Sequence, residues 1–306
     1  MTKIKWLVSV AVALTFALTT AMALQAETHC PGNVASVQVR LLNRSLVIVG
    51  VFVNHAGPYS FLLDTGTQVT LVHPSLAAEL HLNLQGAATV AGVGFHATAA
   101  MAQVDLIEVG PHRVTHPTVL VYDIQNPHFA DLRVRGVLGM DFLGQFDMLI
   151  DHEHSMLCLD DAGAMPAHMQ GPQIALAMPN QADTGPLPGM LIVSARLSHG
   201  FRPVRLKLDS GMNVSFLFDT PRYMRLEFLR PSLPGSSLDG GERSLSPLPP
   251  QDVSIGPVQL PRVPFSTFAN AEKDSSPTEY DGLLSAGLFR RVFISHTDHF
   301  AVLDLW

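Results

Sequence analysis

From about residue 40 onward, apolar residues come in short runs broken by Gly, Pro, Asn and Asp, a pattern that predicts many short strands rather than long helices. Val47 to Val53 and Tyr59 to Leu63 read as a hairpin through Asn54-His55-Ala56-Gly57-Pro58. Met148 to Ile150 and Ser155 to Leu159 read as another, turning at Asp151-His152-Glu153-His154. Pro suits a first helical turn, so Pro74 opens a short helix running to about Leu80, and a counterpart is predicted near Pro221. Residues 161–190, rich in Pro, Gly, Ala and Met without periodicity, read as a linker, and residues 231–251 as a long loop or hairpin.

The same pattern occurs twice, at an offset of 145 to 146 residues. Phe61-Leu62-Leu63-Asp64-Thr65-Gly66 is answered by Leu206-Lys207-Leu208-Asp209-Ser210-Gly211. Val109-Gly110-Pro111 returns as Ile255-Gly256-Pro257, and Gly136-Val137-Leu138-Gly139 as Gly282-Leu283-Leu284-Ser285. Phe146 to Ile150 and Ser155 to Leu159 match Val292 to Ser295 and Ala301 to Leu305. The chain therefore reads as two copies of one lobe, 27–160 and 191–306, joined by 161–190 and preceded by a segment 1–26.

Composition narrows the class. Apolar residues make up 47% and charged residues 15%, against roughly 25% charged in an average soluble domain, which excludes a disordered protein. With 19 Lys+Arg against 26 Asp+Glu, a net charge of −7 and no basic run, a nucleic-acid partner is excluded as well. Lys3 and Lys5, the apolar run Trp6 to Phe16 and the small residues ending at Ala23 read as a signal peptide cleaved near Ala23 or Ala26, with an uncleaved anchor as the alternative. Export to the periplasm or beyond follows, and no other segment is long and apolar enough to span a bilayer. Cys30 and Cys158 are the only cysteines. In an exported chain they are expected to pair, closing a loop of about 130 residues worth about 4 kcal/mol in the chain-entropy model, with two free thiols as the alternative.

Asp64 and Asp209 carry the candidate chemistry. An Asp after three apolar residues is unusual, because a charged carboxylate near a core is costly. The following Thr65-Gly66 or Ser210-Gly211 supplies a hydroxyl and a residue free to take unusual backbone angles, so the turn can aim the acid inward. One Asp-Thr/Ser-Gly is a weak signal; two at matched points of a duplicated lobe are a strong one. Twofold-related copies place both acids at the shared axis, where like charges cannot both ionise and one proton is shared. A water between them is then deprotonated by one Asp while the other protonates a peptide carbonyl oxygen.

On these motifs the chain, from about residue 40 to 306, resembles the aspartic protease superfamily of pepsin and retropepsin, in an exported bacterial two-lobe form. The resemblance implies a mostly β, bilobal fold of two duplicated β-barrel lobes with short helices. It also implies endopeptidase activity with Asp64 and Asp209 as the catalytic pair, and Thr65 and Ser210 cross-linking the two catalytic turns. Val137-Leu138-Gly139 matches the family's element that packs behind the catalytic loop. Candidate flap tips are Gly92-Val93-Gly94-Phe95 and, 146 residues after Gly94, Gly240 with Asp239. A flap in each lobe resembles the retroviral arrangement more than pepsin, whose single long flap carries a Tyr; here Phe95 is the nearest aromatic.

Several positions depart from the pattern. Ser285 stands where the family has Gly and Ala286-Gly287 follows, which suggests a shifted supporting element. Thr67 follows the first motif and its hydroxyl suits donation to an Asp, whereas Met212 follows the second and cannot donate. Asp64 is therefore expected to be the more readily ionised member and Asp209 to hold the proton, although the pair titrates jointly. His152, Glu153 and His154 lie in a predicted turn without a third ligand at recognisable spacing, as do His296 and His299, so they read as solvated turns and no metal or other cofactor is expected. His55, His73 and His199 lack a Gly-x-Ser-x-Gly partner, which removes a serine hydrolase. The expected partner is an extended peptide or protein substrate, and the expected catalytic unit a monomer. A non-catalytic peptide-binding protein on the same lobes is the alternative.

Overall fold

The computed structural model describes residues 29–92, 95–124, 132–177, 190–218, 233–236, 242–268 and 279–306. The segment 1–26 and the helix expected near Pro221 lie outside the described residues. Strand β1 (Ser36–Gln38) precedes the first lobe. That lobe holds β2 (Arg40–Leu42), β3 (Leu46–Val53), β4 (Ala56–Leu63), β5 (Leu71–Val72), β6 (Leu84–Gly92), β7 (Phe95–Gln103), β8 (Leu106–Val109), β9 (His112–Thr115), β10 (Thr118–Val121) and β11 (Val134–Leu138). They form one sheet in the order β6-β7-β10-β5-β11-β4-β3-β8-β9, with β2 beside β3.

Strands β12 (Asp147–Asp151), β13 (Met156–Asp160) and β14 (Ile174–Ala175) lead into the second lobe. It holds β15 (Ile192–Leu197), β16 (Val204–Asp209), β17 (Ser215–Leu217), β18 (Leu233–Ser236), β19 (Glu242–Pro247), β20 (Gln251–Ile255), β21 (Val258–Val263), β22 (Phe265–Phe268) and β23 (Gly282–Ser285). Their order, β18-β19-β22-β17-β23-β16-β15-β20-β21, repeats the first lobe strand for strand. The mostly β, two-lobed architecture expected from the duplicated pattern is present.

Local chemistry sets the register. Asn54 and His55 both have positive φ, 51° and 64°, the two-residue turn whose twist suits a hairpin. The loop is therefore shorter than the five residues expected, and β4 starts at Ala56. The Asn54 side-chain oxygen accepts from the Asp105 and Leu106 N–H groups at 2.8 and 3.1 Å, which fastens this turn to the next strand connection. The helix Pro74–Glu79 is capped by His73, whose ring accepts from the Ser75 N–H.

A third sheet joins the lobes. Each contributes a hairpin, β12–β13 from the first and β24 (Arg291–Ser295) with β25 (Phe300–Asp304) from the second, in the order β1-β13-β12-β24-β25-β14. Leu149 faces Phe293 across the β12–β24 seam. The buried Asp147 carboxylate accepts from Ser295 Oγ and the His296 N–H across that seam, at 3.2 and 2.8 Å. Cys30 and Cys158 form a disulfide, packed with Leu149, Met156 and Phe293. Part of the segment read as a linker is ordered here, since β14 pairs with β25. One apolar core runs through both lobes, including Leu63 and Phe142 of the first and Leu208 and Phe289 of the second. Among the described residues, no helix is long and apolar enough to cross a membrane.

Candidate active site

Strand β4 ends in the apolar run Phe61-Leu62-Leu63 before its acid, whereas β16 alternates apolar and charged residues up to its own. Phe61, Leu62 and Leu63 are fully buried, Leu206 and Leu208 nearly so, and the alternation along β16 leaves Asp209 on the face opposite Leu208. Asp64 and Asp209 are themselves 5% and 6% exposed. The two turns meet tip to tip. A Cβ on Gly211 would stand 2.6 Å from both Asp64 oxygens, and one on Gly66 2.9 Å from Asp209 Oδ1, so glycine is required by the approach of the opposite carboxyl.

Reciprocal hydrogen bonds hold the turns together. Thr65 Oγ1 donates to the Leu208 carbonyl and Ser210 Oγ to the Leu63 carbonyl, both at 2.9 Å. Each hydroxyl oxygen also accepts the other turn's N–H at 3.1 Å: Thr65 N–H to Ser210 Oγ, and Ser210 N–H to Thr65 Oγ1. Every one of these groups is buried and partnered, so loss of either hydroxyl strands two backbone groups without water.

The acids sit in unequal surroundings. Asp64 accepts from the Gly66 N–H (2.7 Å), the Thr67 N–H (3.2 Å) and Thr67 Oγ1 (2.6 Å). Among the described residues Asp209 accepts one hydrogen bond, from the Gly211 N–H at 2.8 Å. Burial, and then the adjacent charge of Asp64, push the Asp209 carboxyl up to about 8, against the pull of Lys207. The arrangement can hold a proton on the Asp209 side at neutral pH, with Asp64 and its three hydrogen bonds facing the same point.

Behind the turns the lobes use different parts. In the first, Thr70 Oγ1 accepts from the Gly139 N–H and donates to Asp141, which also accepts the Thr70 N–H. The Thr67 carbonyl accepts the Met140 N–H at 2.9 Å. In the second, Ser215 Oγ accepts from the Ser285 N–H, and Ser285 Oγ donates to the Met212 carbonyl at 2.7 Å. The expectation of a shifted element at Ser285 is corrected by the register: Ser285 lies beside Asp209 on β23, in the place of Gly139. Its extra hydroxyl satisfies the turn carbonyl that a backbone N–H satisfies in the first lobe.

Residues 49–142, which include the first motif and Gly139, match the aspartyl protease family. The match lies wholly within the first lobe, and this segment is similar to the aspartyl protease family. A retropepsin-like aspartic protease from Rickettsia conorii is 19% identical over 41% of this chain and 90% of its own length, with a TM-score of 0.33. No curated protein matches the chain.

Within the first lobe, β6 and β7 form a hairpin in which Gly92 pairs with Phe95; Val93 and Gly94 lie outside the described residues. In the second lobe β18 and β19 pair from Leu233↔Leu245 to Ser236↔Glu242, and the candidate tip Asp239 and Gly240 lies outside the described residues. The histidine turns differ from expectation in one respect. His152 is 3% exposed, because the chain around Phe289 and Arg290 covers it and the Arg290 carbonyl accepts its N–H. Its neighbours Glu153 and His154 pair instead with Arg290 and Asp151. His296 Nδ1 donates to the Phe146 carbonyl at 2.6 Å. Among the described residues no group of His, Cys, Asp or Glu is arranged to hold a metal ion. Sequence reasoning passed over Thr70, Asp141, Ser215, Lys207 and Tyr280. The readable signal for Lys207 was its place in the repeat, where the first lobe has Leu62.

Proposed function

We propose that the chain is an aspartic endopeptidase that hydrolyses peptide bonds with a water held between Asp64 and Asp209. The observation that carries this reading is the meeting of two buried carboxyls, one from each lobe, with three hydrogen bonds on Asp64 and a retained proton favoured at Asp209. As the water oxygen attacks the carbonyl carbon, Asp64 takes its proton and Asp209 gives its own to the carbonyl oxygen, which forms a gem-diol. In the collapse Asp64 protonates the amide nitrogen and Asp209 recovers a hydroxyl proton as the C–N bond breaks. The pair returns to its starting state with every proton accounted for.

The substrate is an extended peptide lying between the lobes, held by main-chain hydrogen bonds under the β6–β7 and β18–β19 hairpins. Because both acids come from one chain, the catalytic unit is a monomer, with lobes 27–160 and 191–306. The Cys30–Cys158 bridge supports an exported protein in an oxidising compartment.

The test is cleavage of an unfolded protein and a mixed peptide library from acid to neutral pH, beside Asp64→Asn and Asp209→Asn, with a statine-type inhibitor as an active-site ligand. Turnover lost in both variants supports the reading. Inhibitor binding without turnover at any pH replaces it with a peptide-binding protein.

A further inference from the structure

Strand alternation puts Lys207 on the same face of β16 as Asp209, two residues ahead of it. Leu62 holds that place in the first lobe: Leu62 lies opposite Ile48 and Val137, Lys207 opposite Ile192 and Leu283. Leu62 is buried among apolar side chains. Lys207 is buried too, at 5% exposed, yet ends in an ammonium. Its Nζ donates to the Gly66 carbonyl of the first lobe's catalytic turn and stands 5.3 Å from the centre of the Tyr280 ring. The charged and titratable groups that face it are Asp209 from its own strand, Asp64 from the first-lobe turn, and Glu279 and Tyr280 from the segment before β23. The flanking strands β15 and β23 present Ile192 and Leu283, which carry no charge. An unmatched ammonium at such depth is costly. A pair of carboxyls with one proton between them carries one negative charge, which matches it.

We infer that Lys207 is the counter-ion of the acid pair, a positioning residue whose ammonium balances the single negative charge shared by Asp64 and Asp209 and ties the Gly66 turn to the second lobe. Burial, the larger cause, holds the Lys207 ammonium below its ordinary range, and the attraction of Asp209, Asp64 and Glu279 works against that fall. An adjacent cation favours the charged form of both acids, so its removal moves both limbs of the pH–rate profile to higher pH. The kinetic consequence rests on the peptidase reading; the charge pairing does not.

Two labels on the full chain test it. With 13C-carboxyl aspartate, assigned through Asp64→Asn and Asp209→Asn, the joint titration of the pair is expected to move up by about one pH unit or more in Lys207→Met, the effect of losing a nearby opposite charge. Lys207→Arg keeps the charge and is expected to hold the wild-type midpoints. Unmoved or lowered midpoints in folded Lys207→Met overturn the inference. The 15Nζ signal of wild-type lysine reads the charge without any variant: an ammonium at pH 7 is expected, and a neutral amine overturns the inference even if Lys207→Met fails to fold. A chain that cleaves no peptide yet shows the shifts keeps the counter-ion and loses the peptidase reading. Cleavage with unshifted limbs in Lys207→Met does the reverse.

Discussion

Asp64 and Asp209 end equivalent strands in lobes of identical strand order, yet Asp64 accepts three hydrogen bonds from its own turn and Asp209 accepts one among the described residues. The contrast comes from one matched position of the repeat, Thr67 against Met212, and the lobes diverge again at Leu62 against Lys207 and at Gly139 against Ser285. The shared parts, the reciprocal Thr65–Ser210 bonds and the two glycines, bring the acids together. Of the divergent parts, Thr67 adds two donors to Asp64, while Lys207 opposes the burial that raises the Asp209 carboxyl. On the proposed peptidase reading, an even pair would leave base and acid interchangeable, whereas this pair would enter the reaction with the roles assigned.

The largest effects should come from the shared parts, where the lobes ought to respond alike. Gly66→Ala and Gly211→Ala each drive a Cβ into the opposite carboxyl, and a displacement of about 1 Å is enough to lower kcat/KM about 100-fold or more. Peptide hydrolysis rates check this, and the comparison breaks if one glycine tolerates the methyl and the other does not. Next come the cross-lobe hydroxyls. Thr65→Val and Ser210→Ala each leave a buried carbonyl and N–H unpaired, which should cost about 2 kcal/mol or more in urea unfolding for either variant.

Smaller effects should separate the lobes. Thr67→Val removes a donor to Asp64 and should move the acid limb of kcat/KM up by about one pH unit, the worth of a hydrogen bond to a charged group. Met212→Thr adds a hydroxyl to the Asp209 turn and should lower the upper limb by less, because its own carbonyl already accepts from Ser285 and fixes the turn. Unchanged profiles in both variants would mean that the turn hydroxyls do not set the asymmetry.

The duplication was legible because its landmarks are local: apolar strand, acid, hydroxyl, glycine, each at a fixed offset. The hairpin at Asn54 was located but read as too long, since its two-residue turn depends on positive φ at Asn54 and His55 rather than on the later Gly57-Pro58. What the sequence hid is what distant segments do to one another. Lys207 matters because residues 66 and 280 arrive beside it, and His152 is buried because residues near 289 close over it. Ser285 seemed to break a pattern, and only the position of the Met212 carbonyl shows that its hydroxyl mends it.

The unequal placement of the proton is tested most directly by folding stability against pH for wild type, Asp209→Asn and Asp64→Asn. The native Asp209 carboxyl is raised to about 8 from 3.8, so the folded state binds more protons than the unfolded chain between those values, and this contribution to stability is lost as pH rises through about 8. Buried histidines such as His152 and His296 are held below their ordinary range by burial and act in the opposite sense, so the decisive quantity is the difference between wild type and each variant. The account predicts that Asp209→Asn removes the decline between about pH 4 and 8, while Asp64→Asn retains most of it because burial is the larger cause. Removal of that decline by Asp64→Asn, with Asp209→Asn unchanged from wild type, would contradict it.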